Sequence, residues 1–251
     1  MKTILITGCS SGFGLETARY FLDRGWNVVA TMRTPRGDVL PPSQHLRVLA
    51  LDVTDPQSIS KVVEAAGPID VLVNNAGVGW LNALEGTPMN VVRAVFETNT
   101  FGTMAVTQAV LPQFRQRKAG VIVNVTSSVT LRSLPLLSVY TASKAAVNAF
   151  TESLALELKP FNVRVALVIP GRSPETRFGE NARSRMQSVG GFPEPYAGLA
   201  QSIFARLEQD STALTQSLDV AQAVWCAAND PSSPMRLPAG ADAVALAAES
   251  R

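Results

Sequence analysis

The stretch Thr3-Ile4-Leu5-Ile6-Thr7-Gly8-Cys9-Ser10-Ser11-Gly12-Phe13-Gly14 decides the fold. Its first five residues form an apolar, β-branched run without polar alternation, the pattern of a strand buried on both faces. Glycines follow at 8, 12 and 14, and a helical pattern opens at Gly12. A strand running through such a turn into a helix lets the backbone approach a pyrophosphate, whose charge sits at the helix N-terminus. The plain alternative is an ordinary Gly-rich turn. The Gly-x3-Gly-x-Gly spacing differs from the GxGxxG dinucleotide fingerprint, and no Gly-Lys-Ser/Thr follows, which argues against a nucleotide hydrolase.

Outward from this stretch the same unit repeats. Short apolar runs at 27–31, 46–51, 70–74, 120–125, 163–169 and, weakly, 243–246 alternate with helical patterns. These patterns lie near 12–24, 56–66, 88–117, 139–159, 195–209 and 219–229. Strand–helix–strand repetition predicts an α/β fold, a Rossmann-type doubly wound parallel sheet flanked by helices. Pro35, Pro41 and Pro42 leave no room for a helix over 34–45, so that segment reads as an extended connection. No linker or composition shift interrupts the chain, which predicts a single domain over 1–251, with 172–218 as a substrate-binding lid.

Composition narrows the function. The 251 residues carry 22 basic and 20 acidic side chains, and no long run of like charge, so nothing points to nucleic acid. With 46% apolar and 17% charged residues the chain has the material for a substantial core. His45 is the one histidine, so any Ser-His-Asp triad or multi-His metal centre would have to use it. Cys9 and Cys226 are too few for a CxxC zinc site or a disulfide framework, and no metal site is expected. Two unpaired thiols suit a cytoplasmic setting. No apolar run reaches the roughly 18 residues of a membrane span. The apolar run before Gly8 is too short for the h-region of a signal peptide.

The cofactor's adenine end has its own signal. In many dinucleotide folds an acid about 20 residues past the glycine loop holds the ribose 2′-hydroxyl. Here the second strand ends Ala30-Thr31-Met32-Arg33, and Arg33 is cationic where a 2′-phosphate would sit. A solvated surface arginine is the competing reading.

Tyr140-Thr141-Ala142-Ser143-Lys144 opens a long helical pattern, placing Tyr140 and Lys144 one turn apart on one face. A phenol is a poor acid or base at neutral pH, but a neighbouring ammonium favours the phenolate and lowers its pKa. That pair suits proton exchange with an alcohol or ketone oxygen. The spacing is short enough to arise by chance, and its neighbours decide. Asn124-Val125-Thr126-Ser127-Ser128 ends the fifth strand, with Ser127 13 residues before Tyr140. Asn74-Asn75-Ala76-Gly77 ends the fourth, and Asn99 lies within the next helix. Singly, the three asparagines read equally well as turn formers or buried hydrogen bonders.

Taken together, the glycine loop, Asn-Asn-Ala-Gly, Ser127 and Tyr-x-x-x-Lys resemble the short-chain dehydrogenase/reductase family in the same order. The resemblance covers about residues 1–176, and Pro170-Gly171 matches the family's turn on the nicotinamide side. It implies Tyr140 as general acid/base, Lys144 lowering its pKa and holding the nicotinamide ribose, and Ser127 orienting the substrate oxygen. Asn99 would support a proton relay through Lys144 and water. The loop residues Gly8, Ser10, Ser11, Gly12, Phe13 and Gly14 would hold the pyrophosphate. Asp52 and Val53 would meet the adenine, although Thr54, Asp55 and Pro56 also make Asp52 a turn or cap aspartate. Asn75, Ala76 and Gly77 would line the adenine ribose.

Departures from the pattern also carry information. Thr130 stands where the family usually has glycine, which makes Ser128 a competitor of Ser127. Thr176 lies one residue later than the family norm, which weakens a nicotinamide role for it. The ending Leu237-Pro238-Ala239-Gly240-Ala241-Asp242 differs from the Gly-Gly ending of many tetrameric members. It is similar instead to the 17β-hydroxysteroid dehydrogenase-like branch. The resemblance implies an NADP(H)-dependent carbonyl reductase or alcohol dehydrogenase acting on a small molecule. Apolar residues in the strand-end loops (Trp80, Leu81, Leu84, Leu134, Leu136, Leu137) and in 172–218 (Phe178, Met186, Val189, Phe192, Leu199, Phe204) predict a lipophilic one, with packing of the segment itself as the competing reading. Alternatives are a silent dinucleotide sensor, or an isomerase or epimerase using the same cofactor site. Surplus apolar residues on 88–117 and 139–159 predict a homodimer.

Overall fold

The apolar runs form one sheet because the central ones are buried on both sides, while the run at 46–50, at the sheet edge, is only partly covered. The structure, a computed structural model, describes residues 1–209 and 213–249. Its strands are β1 (Thr3–Ile6), β2 (Asn27–Met32), β3 (Leu46–Ala50), β4 (Val71–Asn74), β5 (Gly120–Val125), β6 (Val163–Pro170) and β7 (Arg236–Ala239). They pair in parallel in the order β3-β2-β1-β4-β5-β6-β7. The helices are α1 (Gly12–Leu22), α2 (Pro56–Ala66), α3 (Met89–Phe96), α4 (Gly102–Arg117), α5 (Ser138–Leu158), α6 (Phe178–Gln187), α7 (Ala197–Gln209), α8 (Ser217–Asn229) and α9 (Ala241–Glu249).

Alternate strand residues feed two cores. Ile4, Ile6, Val28, Ala30, Val71, Val73, Val121 and Val123 pack with Phe21 of α1 and with Val220 and Val224 of α8. Leu5, Val29, Leu72 and Ile122 pack on the opposite face with α2, α4 and α5. Helices therefore cover both faces, as the uninterrupted apolar runs require. The chain's direction of travel reverses between β1 and β4, so a crevice opens past their carboxyl ends. Both the glycine loop and Asn75–Gly77 lie at those ends.

The structure corrects three expectations. Residues 243–246 are helical, inside α9, and the seventh strand is β7. Pro238 disguises that strand, yet an edge strand tolerates proline because one side of its ladder is unpaired. The alanine-rich stretch that follows prefers helix. The single helix expected over 88–117 is two, joined by a π-helical turn at Glu97–Phe101. Within 172–218, α6 has no counterpart in the sequence reading. It buries only Ala182 and Met186, too few to give a periodic stripe.

Candidate active site

At the glycine loop, α1 offers an N-terminus with no acid in its first turn, and no side chain caps it at Ser11. A β-carbon on Gly14 would overlap the Gly8 carbonyl and the Asn75 side chain, so no other residue fits there. Asn75 Nδ2 donates to the carbonyls of Thr7 at 2.9 Å and Gly8 at 3.1 Å. The Thr7 hydroxyl accepts the N–H groups of Asn75 at 3.0 Å and Ala76 at 2.9 Å. Thr7 thus clamps the glycine loop to the Asn75-Ala76-Gly77 turn, a role the sequence reading missed. Its position at the end of the first strand was the available signal. Ser10 is exposed, Ser11 and Phe13 are half-buried, and Phe13 packs against the β1–β2 core. An uncapped helix N-terminus behind a glycine turn fits the pyrophosphate of a dinucleotide.

Arg33, expected at the adenine end, is exposed at the tip of β2, and its charge is felt by both Asp52 and Arg185 of α6. Arg36, unnoticed in the sequence, donates to the Ser10 carbonyl at 3.0 Å. Asp52 accepts the Thr54 N–H at 2.9 Å and its hydroxyl at 2.8 Å, which hold its carboxyl below the usual range. It is a turn aspartate, and Asp55 is the cap of α2. Val53 packs its side chain towards Gly102 of α4.

The catalytic candidates converge at the start of α5. Tyr140 and Lys144 are both buried. The Ser127 hydroxyl hydrogen-bonds the Tyr140 phenol and also accepts the Val129 N–H at 3.4 Å. Among the described residues Ser128 shows no such link to Tyr140, so geometry favours Ser127. Lys144 Nζ donates to the Val125 carbonyl at 3.0 Å. A β-carbon on Gly77 would lie 3.3 Å from Lys144 Nζ and 3.3 Å from Asn99 Oδ1, so the bare glycine keeps that space open.

Asn99, 0% exposed, sits in the π-helical turn. Its Oδ1 accepts the Val78 N–H at 2.7 Å, and its Nδ2 donates to the Val78 carbonyl at 2.9 Å and to Ser143 Oγ at 3.0 Å. π turns often mark functional sites because the extra residue redirects a side chain. Here the turn aims Asn99 at the strand-end loop, where it acts as a strut.

Burial dominates the titration of the pair. Tyr140 is pushed up to about 12 by desolvation, offset in part by the Ser127 hydrogen bond. Lys144 is pushed down to about 8 by desolvation. The expected lowering of Tyr140 by Lys144 is therefore overridden in this state. The physical reason is the apolar enclosure: Trp80, Val129, Val139 and Met186 pack around Tyr140, and the Phe178 ring lies 5.7 Å from its ring.

The segment 172–218, expected as a lid, follows the Pro170-Gly171 turn at the end of β6. Gly171 N–H reaches Thr215 Oγ1 at 2.9 Å, and Thr176 packs its methyl towards Gly12. Thr176 thus reaches the glycine loop despite its late position. Of the apolar residues in 172–218, Met186 and Phe192 pack near Tyr140, whereas Val189 and Leu199 face outward. Among the described residues, no helix is long and apolar enough to cross a membrane, and no group of His, Cys, Asp and Glu is placed to hold a metal ion.

Known proteins share this arrangement. The family model for short chain dehydrogenases matches residues 2–187. The chain is 38% identical over 235 residues to the uncharacterized oxidoreductase YusZ of Bacillus subtilis (strain 168), a match spanning 89% of this chain and 83% of that protein. It is 42% identical over 184 residues to retinol dehydrogenase 8 of Bos taurus, spanning 68% of this chain and only 58% of that one. Among solved structures, the closed form of a serine dehydrogenase complexed with NADP+ superposes with a TM-score of 0.79 at 28% identity, covering 95% of this chain and 94% of the other. Strand order, crevice and sequence agree: the chain belongs to the short-chain dehydrogenase/reductase family and is an oxidoreductase.

Proposed function

We propose that the protein is an NADP(H)-dependent oxidoreductase that interconverts a lipophilic ketone or aldehyde and the corresponding alcohol. The observation that carries this reading is Tyr140: a buried phenol, hydrogen-bonded to Ser127, one helical turn from Lys144 and enclosed by apolar side chains. When bound, the nicotinamide ring supplies or takes the hydride. Gly8, Gly12, Gly14 and the α1 N-terminus would hold the pyrophosphate. Asn75, Ala76 and Gly77 would line the adenine ribose, with Asp52 and Val53 near the adenine. Pro170 and Gly171 would border the nicotinamide. Tyr140 gives its proton to the substrate oxygen that Ser127 also orients. A phenol held neutral by burial is set for donation, the direction that carbonyl reduction needs. Lys144 holds the ribose and carries the replacement proton, and Asn99 supports that path by keeping Val78 and Gly77 in place beside it.

The 2′-phosphate preference rests on Arg33, with Arg36 and Arg185 adding positive charge nearby. A charge-assisted hydrogen bond is worth about 10–150-fold in affinity. NADPH should therefore bind more tightly than NADH by at least about tenfold, and Arg33→Asp should erase or reverse that ratio. Equal affinities in the unaltered protein would remove Arg33 from the site. The decisive functional screen follows NADPH absorbance with lipophilic ketones against small hydroxy acids and their keto forms. A marked rate advantage for the small acids would overturn the substrate class, and Arg132 and Arg172 are the groups that would then bind them. The lid 172–218 is the substrate-binding part of a single domain in this reading. Two unpaired cysteines suit a reducing, cytoplasmic setting.

The same reading includes a homodimer. Leu156 is 74% exposed on α5 and Phe101 51% exposed at the π turn, beside exposed Ala142, Ala145 and Ala149. Two-fold pairing of α4 and α5 with their copies would cover this surface in a four-helix contact. Sedimentation at micromolar concentration should give twice the chain mass, and Leu156→Arg should shift it towards the monomer. A monomer before substitution would refute the pairing.

A further inference from the structure

The insert 172–218 leaves the sheet after β6 and rejoins the fold at α8, and both of its roots meet at one carboxylate. Asp242 stands in the first turn of α9. One of its oxygens accepts the Arg172 N–H at 2.7 Å, and the other accepts the Thr215 hydroxyl at 2.6 Å. Thr215, 1% exposed, accepts the Gly171 N–H at 2.9 Å and returns its own N–H to the Arg172 carbonyl at 3.0 Å. A β-carbon on Gly171 would overlap the Asp242 carboxylate, and one on Gly240 would overlap Thr215. Glycines at both points let the carboxylate and the hydroxyl close directly on the backbone.

We propose that Asp242 is a positioning residue that buckles the two roots of the insert together and thereby fixes the Pro170-Gly171 turn. Its bearing on the reaction rests on the dinucleotide reading given above. The chemistry explains the choice of residue. An ionised carboxylate is acceptor-only, so it takes an N–H from one root and an O–H from the other at once, and charge-assisted bonds of this kind are the strong ones. The N-terminal turn of α9 is also where a negative charge is favoured.

The buckle is coupled to the site through a short piece of chain. From Gly171 it is five residues to Thr176, which packs towards Gly12, and seven to Phe178, whose ring faces Tyr140. Slack at 171–172 therefore reaches the glycine loop and the phenol together. A displacement of about 1 Å at such a place can lower rate by about 10²-fold.

Side-chain chemistry also supplies the control. Thr215 Oγ1 lies 2.9 Å from the Ala239 carbonyl as well. With Asp242→Asn, the amide oxygen can keep the Arg172 N–H while its NH2 donates to Thr215, whose proton turns to Ala239. Asp242→Asn should therefore keep the buckle, and Asp242→Ala should open it.

The test uses the full chain, with trypsin reading the exposed Arg177 and Arg183 inside the insert. Asp242→Ala and Thr215→Val should each raise cleavage within 172–218 about tenfold, and lower both NADPH affinity and kcat about tenfold. The double variant should be no worse than either single one, because both remove the same closure, and Asp242→Asn should stay within about threefold of the parent. Unchanged cleavage in Asp242→Ala, strictly additive losses, or an Asp242→Asn variant as damaged as Asp242→Ala would overturn the proposal. So would cleavage spread over the whole chain with a large fall in Tm, the mark of a purely structural role. If the parent binds neither NADPH nor NADH, the dinucleotide reading fails and takes the kinetic part with it, while the cleavage pattern still decides the buckle.

Discussion

Tyr140→Phe is expected to lower turnover by about 10²–10⁴-fold, the range that a positioned general acid or base contributes. The ring stays, so packing with Trp80, Val139 and Met186 and the ring contact with Phe178 are kept. Only the hydroxyl and its bond to Ser127 are lost, and Ser127 retains the Val129 N–H. NADPH binding, measured by fluorescence titration, should therefore change little, and Tm should stay within a few degrees. A second arm separates the hydroxyl's chemistry from its bonding: Ser127→Ala should lower kcat while leaving NADPH affinity unchanged. Retention of most activity by Tyr140→Phe would remove the phenol from the reaction and leave the proton without a donor.

Six of the seven strands were legible in the sequence: burial on both faces leaves the central five as apolar runs, and the edge strand β3 still carries Leu46, Val48 and Leu49 although none of its residues is fully buried. β7 was not, since Arg236-Leu237-Pro238-Ala239 has one polar residue, one proline and a single paired edge. α6 was invisible for a related reason. It lies across the crevice with most of its surface exposed, so no stripe marks it. Site residues showed the same division. Tyr140, Lys144 and Ser127 are separated by spacings that a helix and a strand end translate directly into proximity, and the structure brings them together. The π turn under Asn99 left no mark on the sequence, because a π turn differs from α-helix by one extra residue and not by composition. The direction of the Tyr140 shift was also out of reach. It depends on how tightly residues far apart in sequence, Trp80 and Met186 among them, exclude water from the phenol. Thr215 and Asp242 escaped notice for the opposite reason: each is unremarkable alone, and only the fold brings Gly171, Thr215 and Asp242 together.

Lys144→Met is expected to abolish turnover, by about 10²-fold or more, and at the same time to change how stability depends on pH. Lys144 is 5% exposed, and desolvation lowers its pKa from 10.5 to about 8. The sign follows from proton counting. Between pH 8 and 10.5 the unfolded chain still holds the lysine proton while the folded chain has begun to release it. The unfolded state therefore binds more protons, and stability rises with pH across that window. Below pH 8 both states are protonated, and the folded state carries the full penalty of a buried ammonium, on the order of 3 kcal/mol. Methionine is close in shape and has no charge to bury, so it removes this term. It also leaves the Val125 carbonyl without its donor, at a cost of about 1–3 kcal/mol, so the two stabilities should be similar at pH 7. Urea unfolding of the cofactor-free proteins should show the parent gaining on the variant by about 2–3 kcal/mol between pH 8 and 10.5. Tyr140 destabilises both proteins alike above pH 10, where burial keeps its proton on until about 12, so it cancels from the difference. Parallel stability curves through pH 8–10 would mean that Lys144 is not held as a desolvated cation. The ammonium that the reaction needs would then have to be positioned by something other than this buried site.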